Sequence, residues 1–527
     1  MKNISFHKAA ILPVLIAGFL LAVSCEKDVT ELNPFDRITE AAAFATPERC
    51  ELSIVGVYDA AQSGFYAGGA VRGYPFGAAN VEQGDMRGED MLNVAAFYAF
   101  TYDGTYSLTT ANNDFMWQTL YAVINKANIV IEGVQTAAAN GVISAAKAGE
   151  YEGEARFLRA LAHHELLVHF ARPYLHTGDA SHPGVPYRRT AVNTADRQVE
   201  AAAQGRNTVK ECYDFLIEDL DFAENNLPAT RAGALKITRA VKGAAVALKT
   251  RIYLSKGDWA NVIAEGTKLI GGSTYALEAS PEGVFANNSS NTESIFSIEN
   301  SQPDNPFVNG ALPVMYSVSP GRALVAISPI MFNAPFWLES DLRRTQLTKS
   351  AANGYFSNKY RKITTQDDFN PIIRLAEVIL SVAEARSRQS SAPDQTALDL
   401  LNAVRNRAVT NAADQFTLAN FPTSKDLTAA ILRERRIEFL GEGRRWPDIH
   451  RLAKDPDFST GGVPSKVAFG NTTLASWGFG LNHNGTNYTG TMSIAAIPYD
   501  NFRFVWPIPQ SELNTNPVLA AQQNDGW

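Results

Sequence analysis

"TRAVKGAAVALKTRIYLSKGDWANVIAEGTKLIGG", residues 238–272, carries two helical patterns joined by a short turn. In the first, Val241, Ala244, Ala245, Leu248 and Ile252 recur at helical spacing and so share one face. "SKGDW", residues 255–259, makes a tight turn. The second pattern buries Trp259, Val262, Ile263 and Ile270. The small residues let the two axes approach closely. This is the helix–turn–helix unit of tetratricopeptide-type repeats.

The same reading extends outward. "IIRLAEVILSVAEARSR" (372–388) and "TALDLLNAVRNRA" (396–408) make a second pair, and "FMWQTLYAVINKANIVIEGV" (115–134) pairs with the long helix "YEGEARFLRALAHHELLVHFA" (151–171). "TVKECYDFLIEDLDFAENNLP" (208–228) opens on a capping box, Thr208 with Glu211, and aligns Tyr213, Leu216, Ile217 and Leu220 on one face. The period is loose. The expected fold is mostly α: a tetratricopeptide-like helix-pair scaffold, an α-α superhelix with little β. Residues 39–527 form one body with long irregular, ligand-binding loops at about 63–112, 272–370 and 455–500. Loops of that length are usually functional or disordered, and their aromatic content argues for order.

The N-terminus reads as a targeting segment, residues 1–24. Lys2 and Lys8 precede the apolar run "AAILPVLIAGFLLAV" (9–23). Fifteen residues at ~1.5 Å each fall short of a ~30 Å hydrocarbon core, so a cleaved signal peptide fits better than a membrane-spanning anchor. "LAVSC" then resembles the bacterial lipobox, in which cleavage precedes a cysteine that carries diacylglycerol. Cys25 is the lipidation candidate, and residues 25–38 read as a lipidated tether. Cleavage removes Lys2 and Lys8 and takes the formal charge from −7 to −9. A chain this acidic lacks the concentrated positive surface that general nucleic-acid binding needs. Cys50 and Cys212 remain, either paired or as buried thiols.

Catalytic and cofactor signatures are weak. "HHELLVH" (163–169) differs from a zinc-protease helix, because His164 and His169 are five apart and point ~140° away from each other around the helix. No G-x-S-x-G, P-loop or dinucleotide-binding pattern appears, and no metal or cofactor is expected. "GDMRGED" (84–90) is the most suggestive acidic cluster. There Asp85, Glu89 and Asp90 bracket Arg87, which is expected to pull their pKa values down and to suit hydrogen bonding better than acid catalysis.

"RERRIEFLGEGRRWPDIHRL" (433–452) sets six arginines against four acids, so it is nearly neutral and unlike a DNA-reading helix. Thr423 and Asp426 cap its start, and Gly441 with Gly443 stops it before Arg444. It is expected to form a structural charge network of Arg435, Arg436, Glu438, Glu442, Arg444, Arg445 and Asp448, with guanidinium stacking on Trp446; its acids need arginines from elsewhere in the fold.

"RLAEVILSVAEA" (374–385), "NAVRNRA" (402–408), "LRERRIEFLGEGRRWPDIHRL" (432–452) and "VWPIPQSELNTNP" (505–517) together resemble the SusD/RagB family. The lipobox and the order of segments fit it. The resemblance implies a lipoprotein held on the outer face of the outer membrane, acting as a lid on a SusC-like TonB-dependent transporter. It also implies four tetratricopeptide-like helix pairs, and a bound oligosaccharide, or sometimes another nutrient, passed inward uncut. The alternatives are a surface glycoside hydrolase using Asp85 and Glu89, or a protein-binding scaffold. A sugar ring needs an aromatic platform with polar groups at its rim. The candidates are Tyr74, Phe76, Tyr98 and Tyr102 beside Asp85 and Arg87; Tyr316, Phe336 and Trp337; and Trp477 with Asn482 and Asn484. Trp337 is favoured, because Glu339 and Asp341 follow it.

Overall fold

The computed structural model describes residues 39–352, 354–468 and 487–527. Eight helices run in a chain of neighbours: α1 (Pro47–Ser63), α3 (Ala111–Ala139), α4 (Ala145–Phe170), α5 (Val209–Asn226), α6 (Lys242–Lys256), α7 (Trp259–Thr267), α8 (Leu375–Gln389) and α9 (Gln395–Arg405). Each packs on the one before it, and α10 (Ser424–Glu438) closes onto α8 and α9. The fold is therefore the helix-pair superhelix that the periodicity implies.

The α6–α7 turn shows how sequence sets this geometry. Gly257 adopts φ +69° and ends α6, a backbone state that glycine tolerates without a Cβ clash. Asp258 then accepts the Asn261 N–H and starts α7. At α5 the capping box is present: the Thr208 hydroxyl accepts the Glu211 N–H, and Glu211 takes the Thr208 N–H in return. Val262 is buried, whereas Trp259 and Ile263 are half-buried and Ile270 lies beyond the end of α7. Trp259 finds its cover in Arg388, whose guanidinium sits 4.8 Å from the ring centroid.

Two loop regions hold more regular structure than their composition implies. Residues 63–112 contain α2 (Ala78–Met86) and β1 (Met91–Asn93). Residues 272–370 contain β2 (Ser294–Ile298), β3 (Val325–Ile327), β4 (Thr348–Ala351) and β5 (Gly354–Ser357). A small antiparallel sheet runs in the order β1-β3-β5-β4, and β2 pairs with β6 (Asn370–Arg374). Residues 372–374 are thus strand rather than helix, because pairing to β2 overrides the helical period. α11 (Arg445–Arg451) follows α10, and β7 (Gly462–Val463) pairs with β8 (Ile497–Pro498).

One hydrophobic core threads the helix pairs, through Leu120, Leu158, Leu216, Leu248, Leu380 and Leu401. A second lies under the loop lobe, through Met86, Leu92, Tyr316, Ile327, Phe356 and Ile437. Cys50 and Cys212 are both buried free thiols. The histidines of α4 are interhelix groups. His163 donates to the Arg159 carbonyl at 2.9 Å and accepts the Arg188 N–H at 3.1 Å. His169 accepts from Arg87 and donates to Glu165, both at 3.2 Å. Burial pushes the His164 pKa down to about 3, so its ring is neutral.

Candidate functional site

Helix α10 divides two charge environments. Inward, its acids meet cations from other elements. Glu438 is reached by Arg343, Arg374 and Arg407, while Glu442, in the turn after α10, is held by Lys359 and Arg374. Arg407 and Arg374 also share Glu293. Arg435 pairs with Asp448 at 2.9 Å, and Arg451 joins Asp448 to Glu384. Despite burial, these guanidiniums hold Glu438 and Asp448 well below the usual carboxylate range. Arg444 makes no ion pair within 4 Å among the described residues.

The "GDMRGED" cluster is arranged differently from the sequence expectation. Arg87 turns away from its neighbouring acids. It lies 3.4 Å from the Trp446 ring centroid and donates to His169 and the Phe504 carbonyl. Burial raises the Asp85 pKa to about 7 instead of lowering it; its oxygens accept from the Tyr316 hydroxyl at 2.6 Å and the Gly443 N–H at 3.0 Å. Glu89 is buried too, yet Arg445 and Arg436 outweigh that and hold its pKa down. Asp90 also pairs with Arg436 and Arg445.

Outward, Ala430, Arg433, Glu434 and Ile437 fall at i, i+3, i+4 and i+7 on α10 and form the floor of a cleft of about 840 Å³. One wall is Phe336, half-buried, with the Arg436 guanidinium 5.4 Å from its ring centroid. The other is the loop between α9 and α10. There Phe416 stands over the Arg405 guanidinium at 4.3 Å and meets Phe421 edge-on at 5.2 Å. Gln415 and Asn420 add amides, and Asp414 adds a carboxylate that accepts from Ser340 at 3.3 Å and Asn411 at 3.1 Å. Apolar ring faces flanked by amides, guanidiniums and a carboxylate match what a sugar presents: C–H faces and a hydroxyl rim.

Of the aromatic candidates, Phe336 lines this cleft. Tyr74, Phe76, Tyr98, Tyr102, Tyr316 and Trp337 are all at or below 2% exposed. They pack the two cores and offer no ring face to a surface ligand. The Tyr102 hydroxyl donates to the Val467 carbonyl at 2.6 Å. Trp337 lies beneath Phe332 and Arg344, and Asp341, expected at its rim, is buried against Arg343. Trp477, Asn482, Asn484 and Cys25 lie outside the described residues. Phe416, Phe421 and Arg405 do not stand out as ligand candidates in the sequence, and Arg433 figures there only among the six arginines of the charged stretch 433–452. Two phenylalanines five apart in the short connection "NAADQFTLANFP" (411–422) are the signal that marks them.

A helix-pair scaffold with an aromatic, polar-rimmed cleft on its last pair defines a repeat-scaffolded binding protein. Residues 343–527 match the family described as "SusD family", and residues 75–254 match one described as "Starch-binding associating with outer membrane". Together these cover well over half of the chain, and the chain belongs to the SusD/RagB family. A SusD-like protein of Bacteroides ovatus is 23% identical over 503 residues, covering 84% of this chain and 82% of that one. The crystal structure of a SusD superfamily protein from Bacteroides fragilis superposes with TM-score 0.72 at 26% identity, over 90% of this chain and 99% of that one. Surface glycan-binding protein A of Bacteroides uniformis shares the fold at TM-score 0.67 and 18% identity, over 91% of this chain and 99% of that one. Among the described residues, no helix is long and apolar enough to cross a membrane.

Proposed function

We propose that this protein is an outward-facing outer-membrane lipoprotein, anchored through Cys25, that binds an oligosaccharide in the Phe336–Phe416 cleft and hands it uncut to a SusC-like TonB-dependent transporter. The cleft carries the reading, because it joins the half-buried Phe336 and Phe416 rings to a polar rim on a SusD-family scaffold. The family description as starch-binding at the outer membrane, and the glycan-binding name of the Bacteroides uniformis protein, support a carbohydrate as the ligand class. The buried, arginine-bound state of Glu89 and the enclosed Asp85 count against the hydrolase alternative, since neither carboxylate opens onto the cleft. The test is retention of the purified protein on a polysaccharide panel, with reducing ends assayed alongside. Binding without new reducing ends is expected. Release of reducing sugar overturns the non-enzyme part, and failure to retain on any glycan overturns the binding part. Co-purification from outer membranes with a TonB-dependent barrel tests the delivery step.

A further inference from the structure

We infer that the cleft selects anionic sugars, a uronate or a sulfated residue, over neutral ones; this rests on the reading of the cleft as the glycan site. The argument is a count of what its cations are already doing. Along and beneath the floor, Arg343, Lys359, Arg374, Arg405 and Arg407 face Asp341, Glu293, Glu434, Glu438 and Glu442, five positive groups against five negative. To one side, Arg436 and Arg445 face Glu89 and Asp90. Both networks are balanced within themselves. Arg433 belongs to neither. It stands exposed in the cleft and makes no ion pair or hydrogen bond among the described residues.

Arg405, whose charge is already matched by Glu434, borders Arg433 in the cleft lining. It is 3% exposed and lines the cleft, yet of its five N–H donors one is used, by Nη1 on the Glu434 carboxylate at 3.2 Å. Its Nε is buried without a partner. That enclosed Nε does not reach a ligand itself; exposed, unpaired Arg433 is the group that offers an anion a planar, charge-assisted contact. Glu434 does not compete, because Arg343 and Arg405 already take its two oxygens. Asp414, the remaining cleft carboxylate, pairs with neither arginine and accepts from Ser340 and Asn411. A sugar with a carboxylate or sulfate on one edge and hydroxyls on the other suits this division: the anion meets Arg433, the hydroxyls meet Asp414 and Asn420, and the C–H face lies on Phe336.

The test is calorimetric titration of the purified protein with three sets: galacturonan and alginate oligosaccharides against their carboxyl-reduced forms, carrageenan oligosaccharides, which carry sulfate and no uronate, against their desulfated forms, and neutral laminarin and starch oligosaccharides. The expected result is binding of at least one anionic set, a fall of about tenfold when its anion is removed, and a similar fall in Arg433→Gln. The carboxylate and sulfate arms tell the two anions apart. Weaker binding with added salt is expected in the wild type and much less in the variant. If only neutral glycans bind, or anion removal and Arg433→Gln change nothing while Phe336→Ala still weakens binding about tenfold or more, anion selection is overturned and the glycan cleft stands. If Phe336→Ala leaves binding intact, the cleft itself is the wrong site and both readings fall.

Discussion

Gly84 of α2 and Gly443 meet backbone to backbone: a Cβ built on Gly84 would lie 2.2 Å from the Gly443 carbonyl oxygen. Gly443 also holds φ +71°, and the Asp85 carboxylate takes its N–H. This contact seats the loop lobe on the end of α10. Gly84→Ala drives a methyl into rigid backbone on both sides, so a loss of about 1–3 kcal/mol is expected. Thermal unfolding by circular dichroism measures it; a melting temperature equal to wild type would show that the two elements are not held this closely.

Arg374 and Arg433 are both arginines near α10, with opposite expected consequences. Arg374 is 2% exposed and reaches Glu293, Glu438 and Glu442 together. Arg374→Met strands buried carboxylates and is expected to cost about 3–5 kcal/mol. Arg433→Gln, on an exposed and unpaired side chain, is expected to stay within about 0.5 kcal/mol of wild type. Denaturant titration of the two variants side by side decides it, and equal stabilities would sink the distinction.

These contrasts show what the sequence can carry. Helix existence, the Thr208 capping box, the α6–α7 turn and the need for distant arginines around Glu438 follow from periodicity, local hydrogen bonding and charge counting. Those signals are local or compositional. Arg87 is the counter-example: its nearest acids in sequence are not its partners, because Trp446, His169 and Phe504 arrive from other elements. The same limit hid the cleft. Phe336 and Phe416 are brought together by packing on α10, and nothing in either neighbourhood records the other. β6 escaped for a related reason, since its strand state is conferred by β2.

Asp85 makes stability depend on pH in an unusual direction. Its folded pKa, about 7, stands above the ordinary carboxylate value of 3.8. Between those values the folded state binds the proton more tightly than the unfolded chain does. The contribution is therefore complete below about pH 4 and is lost as pH rises through 7, at up to about 1.4 kcal/mol per pH unit. Asp85→Asn, which cannot ionise, is expected to flatten this slope. Unfolding free energies at pH 5, 6 and 7 measure it; parallel profiles for wild type and variant would exclude Asp85 as the source.

Cys25 follows from the "LAVSC" motif alone. Full-length protein expressed in its cell envelope is expected to partition into the detergent phase, and Cys25→Ala into the aqueous phase or to remain unprocessed. The expected difference rests on the proposed acylation of Cys25 with two or more chains, since a single chain gives marginal, reversible membrane binding. Mass spectrometry of the processed N-terminus checks the same point, and an unacylated wild-type N-terminus would refute it.

Phe336 and Trp337 are adjacent in sequence and separate the two roles an aromatic can play in this loop. Trp337 is 1% exposed, packed on Phe332 and capped by Arg344 at 4.3 Å from its ring. Phe336 is half-buried and faces the cleft. Trp337→Ala removes a core ring and is expected to cost about 3–5 kcal/mol of stability. Phe336→Ala removes a wall and is expected to leave folding nearly intact while lowering glycan affinity by about tenfold or more, the scale of a lost stacking contact with its buried area. Measuring melting temperature and affinity for both variants gives a two-by-two outcome. The assignment holds if stability falls with Trp337 and affinity with Phe336; the reverse pattern would mean the loop turns its other ring to the ligand.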